Sequence, residues 1–379
     1  MMQMSGGQAA VEALRAEKTK YVFGLIGSAT MEMFDALYDA QDITFIGVHD
    51  ERTGTHMADG YARASGETGV VLAGQNGPGV TNLVTGLAQA KAAYSPLVSL
   101  GGALATGHVY RDAFQEVDQQ ALLTPITKKT WTAPSTDRVP ELVREAFRVA
   151  NAPRKGPVHL NLPRDVLAGQ AVFDEMPSPN AYRPAGPIAA PDAMIAEAAR
   201  FLVGAESPVI MVGAGIKNTG AAAEAIALAE AVNAPLVSSP GHGDAIPFGH
   251  PLNAGQMGPR GNEVASRLVK EADVILALGT RIGFNSTFYS YENINQNAAI
   301  IHVEQEPASI GRYFPVTLWI WGNAPTVALQ LQREVETQQD RAKARAWTES
   351  YKTERRAFLQ RRDAEADVEN AIIQPSGLF

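Results

Sequence analysis

Ile43-Thr44-Phe45-Ile46-Gly47-Val48-His49-Asp50-Glu51-Arg52-Thr53-Gly54-Thr55-His56-Met57-Ala58-Asp59-Gly60-Tyr61-Ala62-Arg63-Ala64 changes its pattern near His49, and that change decides the fold. Ile43–Val48 is a short, mostly apolar run of strand length. Over Thr53–Ala64 the residues Met57, Tyr61 and Ala64 recur at helical spacing, and Gly66 follows as a C-terminal cap. A strand that runs straight into a helix is one half of a βαβ unit. The neighbours on both sides repeat it. Helical patterns over Ala9–Glu17, Met31–Ala40 and Val80–Tyr94 alternate with strand patterns over Tyr21–Ile26, Val70–Ala73, Leu97–Leu100 and Pro157–Leu162. Short apolar strands separated by helices of this length predict a parallel sheet covered on both faces.

Further along, five prolines from Pro177 to Pro191 crowd a stretch of Ser, Asn and Gly, which reads as an extended linker. A second alternation follows. Strands are predicted at Pro208–Val212, Pro235–Ser238, Val274–Leu278 and Ala299–Val303, with helices at Ala221–Ala231 and Glu263–Glu271. The expected organisation is α/β, two doubly wound parallel-sheet domains. These are a first domain over 1–168, a linker over 169–191, a Rossmann-like central domain over 192–336 and a charged helical segment over 337–379. In that last segment Trp347, Tyr351 and Phe358 recur at helical spacing, which predicts an aromatic stripe packed on the body.

With 379 residues the chain is long enough for two or three domains, and 45% apolar against 19% charged residues is the balance of a globular protein. The net charge of −8 disfavours a nucleic-acid partner. The chain has no Cys, which excludes a disulfide scaffold and a thiolate metal site. Neither a secretory signal nor an apolar run of spanning length is visible, so a cytoplasmic protein without a membrane partner is expected. The seven His show no His-x-x-x-His spacing, and no nucleophile elbow or Gly-x-Gly-x-x-Gly turn occurs.

Three segments carry candidate chemistry. Glu51 stands beyond the carboxyl end of a predicted strand, where parallel sheets bind ligands; Glu51 or Thr53 would equally serve as a helix cap. Ala73-Gly74-Gln75-Asn76-Gly77-Pro78-Gly79-Val80-Thr81-Asn82 reads as a strand, a glycine-rich turn and a helix start. Such a turn brings backbone N–H groups to a ligand, or is an ordinary βα turn. Asp112-Ala113-Phe114-Gln115-Glu116 places an aromatic beside amide and acid groups, as a pocket wall or a surface helix start.

Taken together, in order and spacing, these segments resemble the thiamine-diphosphate-dependent enzymes of the acetolactate synthase type. Glu51 with His56–Arg63 fits the family's glutamate and its His-Met-Ala-(Asp/Glu)-Gly-Tyr-Ala-Arg run. Gly77-Pro78-Gly79 fits its turn, Phe114-Gln115-Glu116 its Phe-Gln-Glu, and Gly156–Val166 the closing strand of its pyrimidine-binding domain. His250–Gly261 and His302–Ala324 resemble its central domain. The phrases Gly27-Ser28-Ala29, Gln75–Gly79 and Phe114–Leu122 resemble sulfoacetaldehyde acetyltransferase most.

The resemblance implies decarboxylation of a 2-oxo acid with transfer of the two-carbon unit to an acceptor. Its alternatives are a phosphate-dependent sulfoacetaldehyde cleavage and a non-catalytic module. It implies Glu51 and Gln115 as catalytic residues. Glu51, Gly77, Pro78, Gly79 and Asn82 would contact the cofactor, and Gly27, Ser28 and Gln115 the substrate. A carboxyl on the pyrimidine N1′ favours the imino tautomer, whose 4′-nitrogen takes the thiazolium C2 proton. Gly-Asp-Gly, the family's mark for holding Mg2+ and the diphosphate, is absent. No metal ligand is therefore expected in this chain, and Mg2+ would be held by a domain in a second chain, unless the chain is a fragment. A homo-oligomer with an interface site is implied. Arg281-Ile282-Gly283-Phe284-Asn285 stands where acetolactate synthases carry a flavin-contacting Arg-Phe-Asp-Asp-Arg, so FAD is not expected, and Asp50 stands where many relatives have His.

Overall fold

The structure is a computed structural model that describes residues 1–183, 186, 188–338 and 345–366. Contacts divide it into two compact units, Met1–Ala185 and Gly186–Phe379. The first runs β1 (Met2–Ser5), α1 (Gly6–Ala16), β2 (Tyr21–Leu25), α2 (Met31–Asp39), β3 (Thr44–Gly47), α3 (Glu51–Ser65), β4 (Gly69–Ala73), α4 (Pro78–Thr81), α5 (Val84–Ala93), β5 (Leu97–Ala103), β6 (Thr130–Thr132), β7 (Pro157–Pro163) and β8 (Gln170–Phe173), with a further helix Val139–Asn151 before β7. Six strands form one parallel sheet in the order β3-β2-β4-β5-β7-β6. Every residue of β4 and of β7 is buried, as expected for strands with helices on both faces. One face packs Leu14, Met33 and Phe147, and the other packs Leu83, Leu87 and Leu123. Each such side chain contributes roughly 1.5–3 kcal/mol when fully buried.

The second unit carries β9 (Pro208–Val212), β10 (Leu236–Ser238), β11 (Asn253–Gln256), β12 (Val274–Leu278), β13 (Ala299–Glu304) and β14 (Leu318–Trp321). They form a parallel sheet in the order β11-β10-β9-β12-β13-β14. The expected pair of doubly wound parallel sheets is therefore present.

Three expectations are corrected. The linker expected over 169–191 does not begin at Gly169, because β8 pairs antiparallel with β1. The short β1 has its unpaired backbone groups satisfied by Gln170–Phe173, a pairing that no local pattern announces. The chain then stays on the first unit, where the Tyr182 hydroxyl donates to the buried carboxyl of Glu17 and the Arg183 guanidinium forms an ion pair with it. The helix expected over Val80–Tyr94 is split into α4 and α5; Asn82 and Leu83 keep helical dihedrals but leave the regular ladder. The 337–379 segment is not wholly a linker: the helix Arg345–Ala366 docks on the second unit, with Tyr351 fully buried. Trp347 Nε1 donates to the carbonyl of Pro208 at 3.2 Å and Arg355 Nε to that of Asn253 at 2.6 Å, each at the start of a strand. Trp347 and Phe358 pack on the same cluster, so the aromatic stripe is real. Residues 339–344 and 367–379 of that segment lie outside the described residues. Among the described residues no helix is long and apolar enough to cross a membrane.

Candidate active site

Ser28, Glu51, the Gly77–Gly79 turn and Gln115 follow β2, β3, β4 and β5, so four adjacent strands deliver them to one edge of the sheet. The chain starts at β2, steps to β3, then crosses back to β4. The crevice between β2 and β4 is thus the switch point where such sheets bind ligands.

Glu51 is the first residue of α3 and only 5% exposed. The capping role left open between Glu51 and Thr53 belongs to neither. Asp50 is the N-cap, in extended backbone, and its Oδ1 accepts the amide of Arg52 at 2.8 Å. With Asp50 serving as the cap, the Glu51 carboxyl is left for another task. Its Oε2 accepts from Asn82 Nδ2 at 2.9 Å. Its Oε1 lies 3.1 Å from where a Cβ on Gly79 would stand, and no donor among the described residues reaches it. Ala58 and Ala62 are buried, whereas a Cβ on Gly60 would meet nothing within 4 Å.

The turn after β4 is held by backbone approach. Gly77 has φ 58°, and a Cβ there would stand 2.3 Å from the carbonyl oxygen of Gln115, so no side chain fits. Gly27 packs backbone to backbone on Gly74, which makes its contribution one of close approach. Ser28 does reach the turn: its Oγ donates to Gln75 Oε1 at 2.9 Å. Gln75 Nε2 donates in turn to Gln115 Oε1 at 2.7 Å. Pro78 and Asn82 are exposed beside the buried Gly79.

Gln115 sits on a loop rather than on a helix start, and Phe114 beside it is 77% exposed in this chain. Tyr110, Asp112 and Gln115 all have positive φ, a strained run that must be held from outside. Glu116 holds it, its carboxylate accepting the amides of Tyr110, Arg111 and Ala113. These backbone donors, Tyr110 first, pull the Glu116 carboxyl below the usual range.

Sequence reasoning missed a buried polar chain beneath the turn. Gln119 Oε1 accepts the amide of Gly77 at 2.8 Å, and Gln119 Nε2 donates to Asn161 Oδ1 at 2.6 Å. His159 Nε2 lies 2.8 Å from the same oxygen, which can only accept, so this nitrogen carries the proton. Nδ1 then accepts from Ser99 Oγ at 2.9 Å. Burial pushes the His159 imidazole down to about 4, so the ring is neutral at ordinary pH. The signal in sequence was the spacing of His159 and Asn161, two apart on one strand and hence on one face.

A sheet edge bearing a buried carboxyl, a glycine turn and a polar amide cluster defines a ligand-binding α/β protein of the doubly wound class. Comparison with known proteins narrows this. Residues 4–122 match the thiamine pyrophosphate enzyme, N-terminal TPP binding domain, and residues 195–331 match the thiamine pyrophosphate enzyme, central domain. The chain belongs to the thiamine pyrophosphate enzyme family. It is 38% identical over 333 residues to a probable acetolactate synthase large subunit of Methanocaldococcus jannaschii, covering 86% of this chain and 56% of that one. It is 36% identical over 339 residues to the sulfoacetaldehyde acetyltransferase of Castellaniella defragrans, covering 89% and 55%. It is 35% identical over 335 residues to the acetolactate synthase isozyme 3 large subunit of Escherichia coli K12, covering 87% and 58%. The chain thus spans a little over half the length of these relatives.

The residues present fit the cofactor's aminopyrimidine. A carboxyl oxygen without a donor of its own, on a residue that is otherwise buried, suits a ligand ring nitrogen that brings a proton, and the missing side chain at Gly79 leaves that oxygen accessible. Among the described residues no group of three or more His, Asp or Glu is placed to hold a metal ion.

Proposed function

We propose that this chain supplies the pyrimidine-binding half of an active site that decarboxylates a 2-oxo acid and transfers the two-carbon unit to an acceptor, as an acetolactate synthase does. The observation that carries the reading is the Glu51 carboxyl: buried, tethered through Oε2 by Asn82, and open at Oε1 above Gly79. When bound, thiamine diphosphate supplies the electron sink for decarboxylation. Glu51 Oε1 holds the proton at the pyrimidine N1′, and its burial strengthens that interaction by excluding water. Gly77, Pro78 and Gly79 would contact the ring, and Asn82 fixes the carboxyl by its bond to Oε2. Ser28 and Gln115 offer polar atoms to the substrate from the adjoining strand ends, with Gly27 shaping the approach between them.

The diphosphate and its Mg2+ are assigned to residues other than these, in a partner chain or in a continuation of this one. The greater length of the matched relatives supports that assignment. The site then forms where such a domain meets this one, which calls for an oligomer when that domain belongs to a partner chain. Two of the three relatives described carry the acetolactate synthase name, and this favours carboligation over sulfoacetaldehyde cleavage.

The test is Glu51→Gln in the complete holoenzyme with pyruvate. Turnover should fall by more than about a hundred-fold, because an amide does not share the N1′ proton, while thiamine diphosphate still binds. Turnover within a few-fold of the parent would sink the reading.

A further inference from the structure

The direction of the amide chain between Ser28 and Gln115 is set by backbone groups, which have no freedom to flip. At one end the Ser28 amide, 3.2 Å from Gln75, can only donate, so the atom it meets is Gln75 Oε1. At the other end the carbonyls of Phe114 and Gln115 can only accept, so the Asn76 atom 3.1 Å from both is Nδ2. Asn76 Oδ1 therefore faces Gln75, which meets it with Nε2 at 3.2 Å. Both ends agree: Gln75 Nε2 is a donor, and its partner on Gln115, 2.7 Å away, is Oε1. With Oε1 spent, Gln115 has only its NH2 group left to offer, and no acceptor among the described residues meets it. Gln115 rests on Gly77, two residues from the Gly79 over which Glu51 Oε1 lies.

We infer that Gln75 is a positioning residue that orders Gln115 as a hydrogen-bond donor, aimed at the carboxylate of an anionic 2-oxo acid substrate. The use of that donor rests on the function proposed above; its orientation does not. An isosteric Gln75→Glu reverses the polarity. One carboxylate oxygen keeps the Ser28 amide, the other needs a donor, and the Gln115 amide turns over to show its oxygen outward.

Side-chain amide exchange on the full chain labelled with 15N-glutamine tests the orientation. In the parent the Gln75 NH2 should exchange slowly and the Gln115 NH2 fast. In Gln75→Glu the Gln115 NH2 should become slow, and in Gln75→Met, which offers no acceptor, it should stay fast. A slow Gln115 NH2 in the parent, or a fast one in folded Gln75→Glu, overturns the inference. In the complete holoenzyme, kcat/KM for pyruvate should fall roughly ten- to hundred-fold in Gln75→Glu, chiefly through KM, as for a lost hydrogen bond to a charged group. In a Gln115→Ala background the same substitution should have no further effect. An effect that persists there means charge repulsion or a structural role, and overturns the inference. If Glu51→Gln proves active, the functional reading fails, yet the exchange pattern still decides the orientation.

Discussion

Asn82 Nδ2 and Glu51 Oε2 are 2.9 Å apart, joining the end of α4 to the first residue of α3 across two strand connections. Asn82 leaves the regular helix at this point, and its side chain is what holds the carboxyl in place. Asn82→Ala should cost about 1.5 kcal/mol in urea denaturation, the low end for a hydrogen bond to a charged group because Asn82 is exposed and water can replace it. Asn82→Asp should cost more, since it sets a second carboxylate against Glu51. Equal stability of Asn82→Asp and the parent would show that the contact is not made.

Two glycines near the site should respond with opposite signs. In Gly79→Ala the new methyl stands 3.1 Å from Glu51 Oε1 and 3.2 Å from Gln75 Cβ, tighter than ordinary contact. A loss of about 1–3 kcal/mol is expected, together with weaker binding of thiamine diphosphate. In Gly60→Ala the methyl meets nothing within 4 Å in the interior of α3, so a gain of about 0.5–1 kcal/mol is expected. Chemical denaturation of both variants checks the pair, and a stabilising Gly79→Ala would contradict the packing around Glu51.

His159 should make stability fall with acid. Its ordinary value of 6.5 drops to about 4 in the fold, so between those values the unfolded chain takes up a proton that the folded chain refuses. The contribution is complete above pH 6.5 and is lost as pH falls toward 4, by about 3 kcal/mol in all. Denaturation at a series of pH values should show this slope in the parent and lack it in His159→Gln.

Glu17 should anchor the proline-rich stretch. Its buried carboxyl takes the Arg183 guanidinium at 2.5 Å and the Tyr182 hydroxyl. Burial is the largest influence on this group and pushes its carboxyl upward, against the pull of those partners. Glu17→Ala leaves Arg183 without its counter-charge and should cost about 3 kcal/mol. Limited proteolysis should then cut within 174–183 faster than in the parent. An unchanged cleavage rate would mean that other contacts hold this stretch.

Much of the architecture was legible in the order of residues. The alternation from Ala9 to Leu100 located the strands of the first sheet from β2 to β5 to within a few residues, because apolar strand runs and helical spacing are local patterns. Gly66 marked the end of α3, where it takes φ 76°. Glu51 and Gly77–Gly79 were legible as candidates for the same reason, each sitting just past a recognisable strand, whereas Gln115, twelve residues beyond β5, was marked by its Phe-Gln-Glu neighbours.

Beyond the sequence lay the features that depend on a partner far along the chain, and one that depends on local backbone angles. The pairing of β1 with β8 joins residues about 170 positions apart, and nothing local to either end specifies it. The choice of Asp50 over Glu51 as cap turns on backbone angles at a single junction. The role of Gln75 exists only because β2, β4 and the loop after β5 bring Ser28, Gln75 and Gln115 within hydrogen-bond distance. Residue type and spacing therefore determined the elements and the kind of chemistry on offer. Only the tertiary structure decided which oxygen of Glu51 is tethered and which face of Gln115 is left to a ligand, because hydrogen-bond direction is a property of pairs in space and not of positions in a chain.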